Sequence, residues 1–283
     1  MDTPENHGAP IRVNFGSGLH AAAGRPVDAS AYERYLGRWS RLFVPAVLAA
    51  AEVANGDRVL DVATGPGEAA RLALSKVTPA GRVIGADISP AMVTAARTRL
   101  GAGAFQPVAM DGQAVAFRDG SFDAVVCQLG LQFFPDPARG LAEFRRVLRP
   151  GRCAAVCVIA TPDRAPMWGV LAEALSRQLP EQREVLHLTF ALADPERLAH
   201  LLKMAGFRDV RVQSETHQGT IASFDDYWAP IEAGTGQLPQ AYLALPASRR
   251  QAVREEVQTR LAACETDGRL AMTVDMLIGA GRA

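Results

Sequence analysis

Two aspartates and two glycines are the residues best placed to do chemistry in this chain. Asp61 follows the apolar pair Val59-Leu60, and Gly65 and Gly67 punctuate the turn before Glu68 and Ala69-Ala70-Arg71-Leu72-Ala73-Leu74, a helix-forming run. Asp87 closes a second run, Arg82-Val83-Ile84-Gly85-Ala86, 20 residues past Gly67. Strand, glycine turn and helix, in that order, make the corner of a doubly wound α/β sheet that grips a nucleotide. The glycines let the backbone approach a ligand where a Cβ would collide. An acid at the second strand tip can take both hydroxyls of an adenosine ribose. The pattern predicts an adenosine-containing cofactor.

Two cofactors compete for that corner. Gly65-x-Gly67-x-x-Ala70 with Asp87 downstream also fits the degenerate dinucleotide fingerprint, so an NAD(P) oxidoreductase is one reading. Asp61 argues against it, because a carboxylate in the corner repels a pyrophosphate. S-adenosylmethionine (SAM) carries an ammonium and a sulfonium instead, and the acid attracts both, directly or through water.

The stretch Asp61-Val62-Ala63-Thr64-Gly65-Pro66-Gly67 resembles motif I of the class I SAM-dependent methyltransferases, in the form of the UbiE-like, type 11 small-molecule group. Ala63 stands where the commoner motif has its first glycine, and Pro66 separates the two glycines that remain. Phe122–Asp136 resembles the segment after strand four in the same group. Val147-Leu148-Arg149-Pro150-Gly151 resembles its R-V-L-R-P-G-G, with Arg152 in place of the second glycine. The resemblance covers about 55–160 strongly and the flanks loosely. It implies a Rossmann-like sheet of seven strands, the last antiparallel between the fifth and sixth, with helical cap insertions. It also implies SAM as cofactor and S-adenosylhomocysteine as product.

The resemblance distributes roles over the strand ends. Asp61 and the backbone of Ala63, Thr64 and Gly65, turned by Gly67, are expected at the methionine part. Asp87 is expected on the ribose, with Ile88 and Met92 against the adenine face. Asp111 would accept the adenine amine, with a Gly112 or Gln113 amide on a ring nitrogen. Gln128 and Leu129 would hold the methionine carbonyl and amino groups.

Periodicity supplies the elements that must position these residues. Strands are expected at Arg58–Val62, Arg82–Asp87, Phe105–Met110, Phe122–Gln128 and Arg152–Ala160, alternating with helices at Glu68–Val77, Ala91–Leu100 and Ala138–Leu148. Pro107 predicts an edge position for the third strand. After residue 160 the rhythm turns helical at about 165–179, 183–190 and Glu196–Ala205. A sixth strand is expected at Phe207–Gln213, a helical insert at about 223–267, and a last strand at Leu270–Ile278. Three regions follow: a lid or helical segment over 1–54, the cofactor core over 55–160, and over 161–283 the rest of the sheet with cap inserts at about 163–190 and 223–267. Residues 1–28 carry no period. From Ser30 a helix presents Tyr32, Tyr35, Leu36, Trp39, Leu42 and Phe43 on one face, with Pro45 interrupting or restarting it.

Composition narrows the partners. The 283 residues are 48% hydrophobic, enough for a full core, and 30 basic residues balance 30 acidic ones. No basic block recruits a nucleic-acid backbone or an anionic membrane. No apolar run reaches membrane-spanning length or makes a signal-peptide core. The four cysteines lack zinc spacing, and Cys153 and Cys157 sit too far apart along one strand for a ready disulfide. These features predict a metal-free cytoplasmic protein, a monomer or homodimer, whose partner is a small molecule.

Methyl transfer from a sulfonium needs alignment and water exclusion more than acid–base help. His187, in the segment expected over the acceptor, is the candidate base. Tyr32, Trp39, Phe133, Phe134, Trp168, Tyr227 and Trp228 are the candidate acceptor wall, which suits a flat or apolar metabolite with an O-, C- or N-nucleophile. A SAM-binding cyclase or decarboxylase on the same fold is the alternative.

Overall fold

The computed structural model describes residues 33–283 apart from Ala102 and Thr235. Tyr32 and the segment before it lie outside the described residues. The strands are β1 (Arg58–Val62), β2 (Arg82–Asp87), β3 (Phe105–Ala109), β4 (Phe122–Gln128), β5 (Leu148–Ile159), β6 (Arg208–Ile221), β7 (Glu265–Thr266) and β8 (Arg269–Arg282). The helices are α1 (Arg38–Ala50), α2 (Glu68–Val77), α3 (Pro90–Leu100), α4 (Pro137–Val147), α5 (Pro166–Gln178), α6 (Arg183–Leu186), α7 (Pro195–Met204), α8 (Phe224–Glu232), α9 (Gln237–Leu243) and α10 (Ala247–Leu261).

The sheet runs β3-β2-β1-β4-β5-β8-β6, with the two-residue β7 paired to β8. The strands from β3 to β5 are parallel, and β8 lies antiparallel between β5 and β6. This is the expected Rossmann-like arrangement with a reversed last strand. Pro107, which has no N–H to give, sits in β3 at the edge of the sheet.

Parallel strands covered on both faces read as continuous apolar runs, and β1 and β4 are buried along nearly their whole length. One face packs α1, α2, α5, α6 and α8 to α10 into a core around Trp39, Phe43, Trp168 and Trp228. The other face packs α4 and α7 around Leu60, Phe122, Leu141 and Phe144. Each such buried side chain contributes about 1.5–3 kcal/mol of transfer free energy.

The last two long strands depart from expectation. Both extend well past the stretches expected, and β6 pairs with β8 from Arg208–Arg282 to Ile221–Leu270. The extension, Ser214-Glu215-Thr216-His217-Gln218-Gly219-Thr220, is polar because an edge strand wets one face. Its alternation carries no strong apolar signal. Trp39 crosses here: a Cβ on Gly219 would stand 2.7 Å from the indole. The helix expected at 183–190 is broken into α6 between two single 3-10 turns. Helix α1 runs through Pro45 without a break and ends at Ala50.

Candidate functional site

Strand order reverses between β1 and β4, since β2 and β3 leave on one side of β1 and β5 on the other side of β4. Ligands of open α/β sheets sit at the carboxyl ends of the strands beside such a switch. A cavity of about 390 Å³ opens there.

Strand β1 delivers Asp61, fully buried, whose Oδ2 accepts the Thr64 hydroxyl at 2.6 Å. Its Oδ1 has no partner. Burial raises the carboxyl to about 7, against the pull of the Thr64 hydrogen bond. Thr64 lines the cavity and Asp61 stands outside its lining. The turn then passes through three left-handed residues, Ala63 (φ 56°), Gly65 (φ 53°) and Gly67 (φ 90°). Ala63 occupies the position of the commoner glycine and carries the strain an L-residue bears there, about 1 kcal/mol. Gly67 caps α2, setting Glu68 in its first turn.

Strand β2 delivers Asp87, only 5% exposed. Its Oδ2 accepts the Gly65 N–H at 2.8 Å and its Oδ1 the Ser89 N–H at 2.9 Å. Each oxygen keeps a second lone pair. Burial raises the Asp87 pKa even against these two amide bonds. Past β3, the Gln113 N–H donates to Asp111 Oδ1 at 2.8 Å and Gln113 Oε1 accepts the Asp136 N–H at 2.8 Å. A Cβ on Gly112 would stand 2.5 Å from the Phe134 ring, so the backbone is pressed against an aromatic wall. At the end of β4, Gln128 Nε2 donates to the Ser40 carbonyl at 3.2 Å, tying α1 to the strand tip, while its Oε1 has no partner.

The structure brings most of the residues singled out above to one cavity. Ala63, Thr64, Gly65, Asp87 and Ile88 line it, with Asp111, Gly112, Gln113, Gln128 and Leu129. Phe133, Phe134 and Trp168 complete the set. Gly67 and Met92 support the corner without lining it, and Met92 is buried.

Trp39, Tyr227 and Trp228 are buried away from the lining. Tyr227 donates its hydroxyl to the Met167 carbonyl at 3.1 Å, and Trp228 packs between Phe224 and Tyr242. His187 also stands off the lining: Nε2 lies 3.4 Å from Glu173 Oε1, outside hydrogen-bond geometry, and the ring abuts Phe190. Burial lowers its pKa.

Tyr35, Leu36 and Gly37, within the segment expected as a lid, line the cavity from a π-helical turn before α1, a geometry frequent at functional sites. Sequence reasoning passed over other lining residues. Glu68 lines the cavity with Oε1 paired to Arg99 and Oε2 unpartnered. Gln132, Thr189 and Leu238 also line it. Gln132 had a visible signal, as a lone carboxamide inside Leu129-Gly130-Leu131-Gln132-Phe133-Phe134. The described lining contains three acids, Glu68, Asp87 and Asp111, and no lysine, arginine or histidine.

The site fits the cationic nucleoside. A left-handed turn, Glu68 at the start of α2 and an acid at each of two strand tips suit a ligand bearing positive charge and a ribose. With β8 reversed between β5 and β6, these features define a class I SAM-dependent methyltransferase.

The comparisons with known proteins agree. Residues 60–155 match the methyltransferase domain family. The chain is 32% identical over 183 residues to the demethylmenaquinone methyltransferase of Thermus thermophilus, covering 60% of this chain and 81% of that one. It is 33% identical over 164 residues to the demethylmenaquinone methyltransferase of Deinococcus radiodurans, covering 53% and 68%. Among solved structures, a putative methyltransferase from Bacillus halodurans superposes with TM-score 0.58 at 19% identity, covering 84% of this chain and 97% of that one. A phosphoethanolamine N-methyltransferase from Haemonchus contortus, solved with SAM, superposes with TM-score 0.57 at 19% identity, covering 89% and 56%. These two likenesses concern the fold. The chain belongs to the family of SAM-dependent methyltransferases that includes the demethylmenaquinone methyltransferases.

Proposed function

We propose that the chain methylates a small, uncharged, ring-bearing acceptor of phenol or quinol type. The observation that carries this reading is the division of the cavity wall. Its acids belong to the start of α2 and the tips of β2 and β3, whereas the rest of the wall is uncharged, with Leu36, Phe133, Phe134, Ile159, Trp168 and Leu238 as its apolar part and Gln128, Gln132, Thr189 and Gln237 among its polar residues. An acidic corner holds the cofactor, and an apolar chamber beside it admits a flat neutral ring. The names of the relatives support the same class of acceptor.

SAM, when bound, supplies an electrophilic methyl on sulfur. Asp87 would hold the ribose, Asp111 and the Gly112–Gln113 backbone the adenine, and Gln128 with the Asp61–Gly65 turn the methionine end. The aromatic wall excludes water and presses the acceptor into line, and proximity of this kind can lower a barrier by several kcal/mol. The N-terminal segment to about residue 54 and the helices following β5 would act as lid and cap over the core of residues 55–160.

Methyl transfer from labelled SAM to a panel of phenols, quinols, demethylmenaquinol and amines tests the proposal. The phenols and quinols should gain one methyl group by mass spectrometry. Turnover confined to RNA, or to phosphorylated acceptors, would end it.

A further inference from the structure

We propose that Gln132 is the polar anchor of the acceptor subsite, gripping an uncharged hydroxyl or carbonyl oxygen on the acceptor ring. This rests on the methyl-transfer reading above. Gln132 sits in the single 3-10 turn Leu131–Phe133 that follows β4, lines the cavity and is 3% exposed. Neither its Oε1 nor its Nε2 has a partner among the described residues.

Four glutamines line this cavity, and the other three commit an amide to the protein. Gln113 Oε1 takes the Asp136 N–H, Gln128 Nε2 reaches the Ser40 carbonyl, and Gln237 Nε2 reaches the Val185 carbonyl. Gln132 commits neither end. A buried carboxamide with nothing to bond is costlier to the fold than a methionine of the same shape. Its partner is therefore a molecule that enters the cavity.

Position tells which molecule. The turn carrying Gln132 packs against the turn Leu188–Phe190, in the segment that follows β5. Phe133 and Phe134, next in sequence, line the same cavity, Phe134 with its ring against Gly112. Two more unpartnered buried donors belong to this lining, the Tyr35 hydroxyl and Trp168 Nε1. A carboxamide offers one acceptor and two donors without charge, so it suits an O–H or C=O on a neutral ring and gives an anion no counter-charge.

The experiment is a calorimetric titration of wild type and Gln132→Met with 1-naphthol and 1-methylnaphthalene, which differ only in hydroxyl against methyl, at saturating S-adenosylhomocysteine. Wild type should bind 1-naphthol about tenfold more tightly than the hydrocarbon. Q132M should bind both alike, with unchanged affinity for S-adenosylhomocysteine and a Tm no lower than wild type. Gln132→Asn, with its carboxamide one methylene back, should keep part of the preference.

Equal binding of the two rings by wild type, or a preference that survives in Q132M, would overturn the anchor alone. So would weakened S-adenosylhomocysteine binding in Q132M, because the carboxamide would then serve the cofactor. A Q132M protein that fails to fold would assign Gln132 to the core and overturn it as well. Wild type that binds neither ring would remove the ring-bearing acceptor itself, and with it the reading on which the anchor rests.

Discussion

Asp87 Oδ2 accepts the backbone N–H of Gly65 at 2.8 Å, so the tip of the second strand braces the turn that follows the first. One carboxylate thus fixes the glycine turn, and in the reading proposed above its remaining lone pairs hold the ribose. Asp87→Ala removes both functions. Calorimetry should show SAM binding weakened at least tenfold, and melting should fall by several degrees as two amides lose their acceptor. Unchanged SAM affinity would mean that the ribose is held elsewhere.

Asp61 should make cofactor binding depend on pH. Its carboxyl is raised to about 7 in the folded protein, above its unfolded value of 3.8. The folded state therefore holds a proton that the unfolded chain has lost between these values. This group's contribution to stability falls as pH rises from about 4 to 7, then stays level. Cofactor affinity runs the other way, because the cation favours the ionised acid. SAM affinity should rise up to about tenfold between pH 6 and pH 8, with protons released on binding. Asp61→Asn should flatten that dependence. A wild-type affinity independent of pH would separate Asp61 from the sulfonium and ammonium.

The glycine at 130 is the counterpart of the alanine at 63. A Cβ on Gly130 would stand 2.3 Å from the Ala63 Cβ, and Ala63 already holds a left-handed backbone. Ala63→Gly should raise the Tm by a few degrees through relief of about 1 kcal/mol of strain. Gly130→Ala alone should destabilise the protein, and Ala63→Gly in the same chain should recover much of the loss. Additive effects in that double-mutant cycle would mean that the two positions do not press on each other.

The parts of the fold legible in sequence are those with a strong local cause. Glycine turns, apolar parallel strands and the edge-marking Pro107 carry their structure in their own residue types. The long β6–β8 pair was legible only at its apolar end, because the rest of β6 is a polar ribbon held by register with β8. The acceptor wall was harder. Aromatic residues at 39, 227 and 228 look the same in sequence whether they face a core or a ligand, and packing alone separates them. Trp39 is pinned over Gly219 by a contact across 180 residues that no local pattern announces. Arg152, where the resembling motif has glycine, joins Asp57 by an ion pair and gives Nε to the Asp123 carbonyl at 2.9 Å. The departure from the motif thus ties β5 to the starts of β4 and β1, at the opposite end of the strands from the site.

The charge of the described lining predicts a neutral acceptor. Glu68, Asp87 and Asp111 line the cavity, and no described lining residue is basic. A carboxylate on the acceptor would lose its hydration and meet like charge, and no described lining residue supplies a cation for it. At saturating S-adenosylhomocysteine, 1-naphthol should therefore bind at least tenfold more tightly than 1-naphthoate at pH 7.5. The gap should narrow at pH values low enough to protonate the naphthoate. Equal affinities at pH 7.5 would place a cation in the cavity and redirect the search for acceptors toward acids.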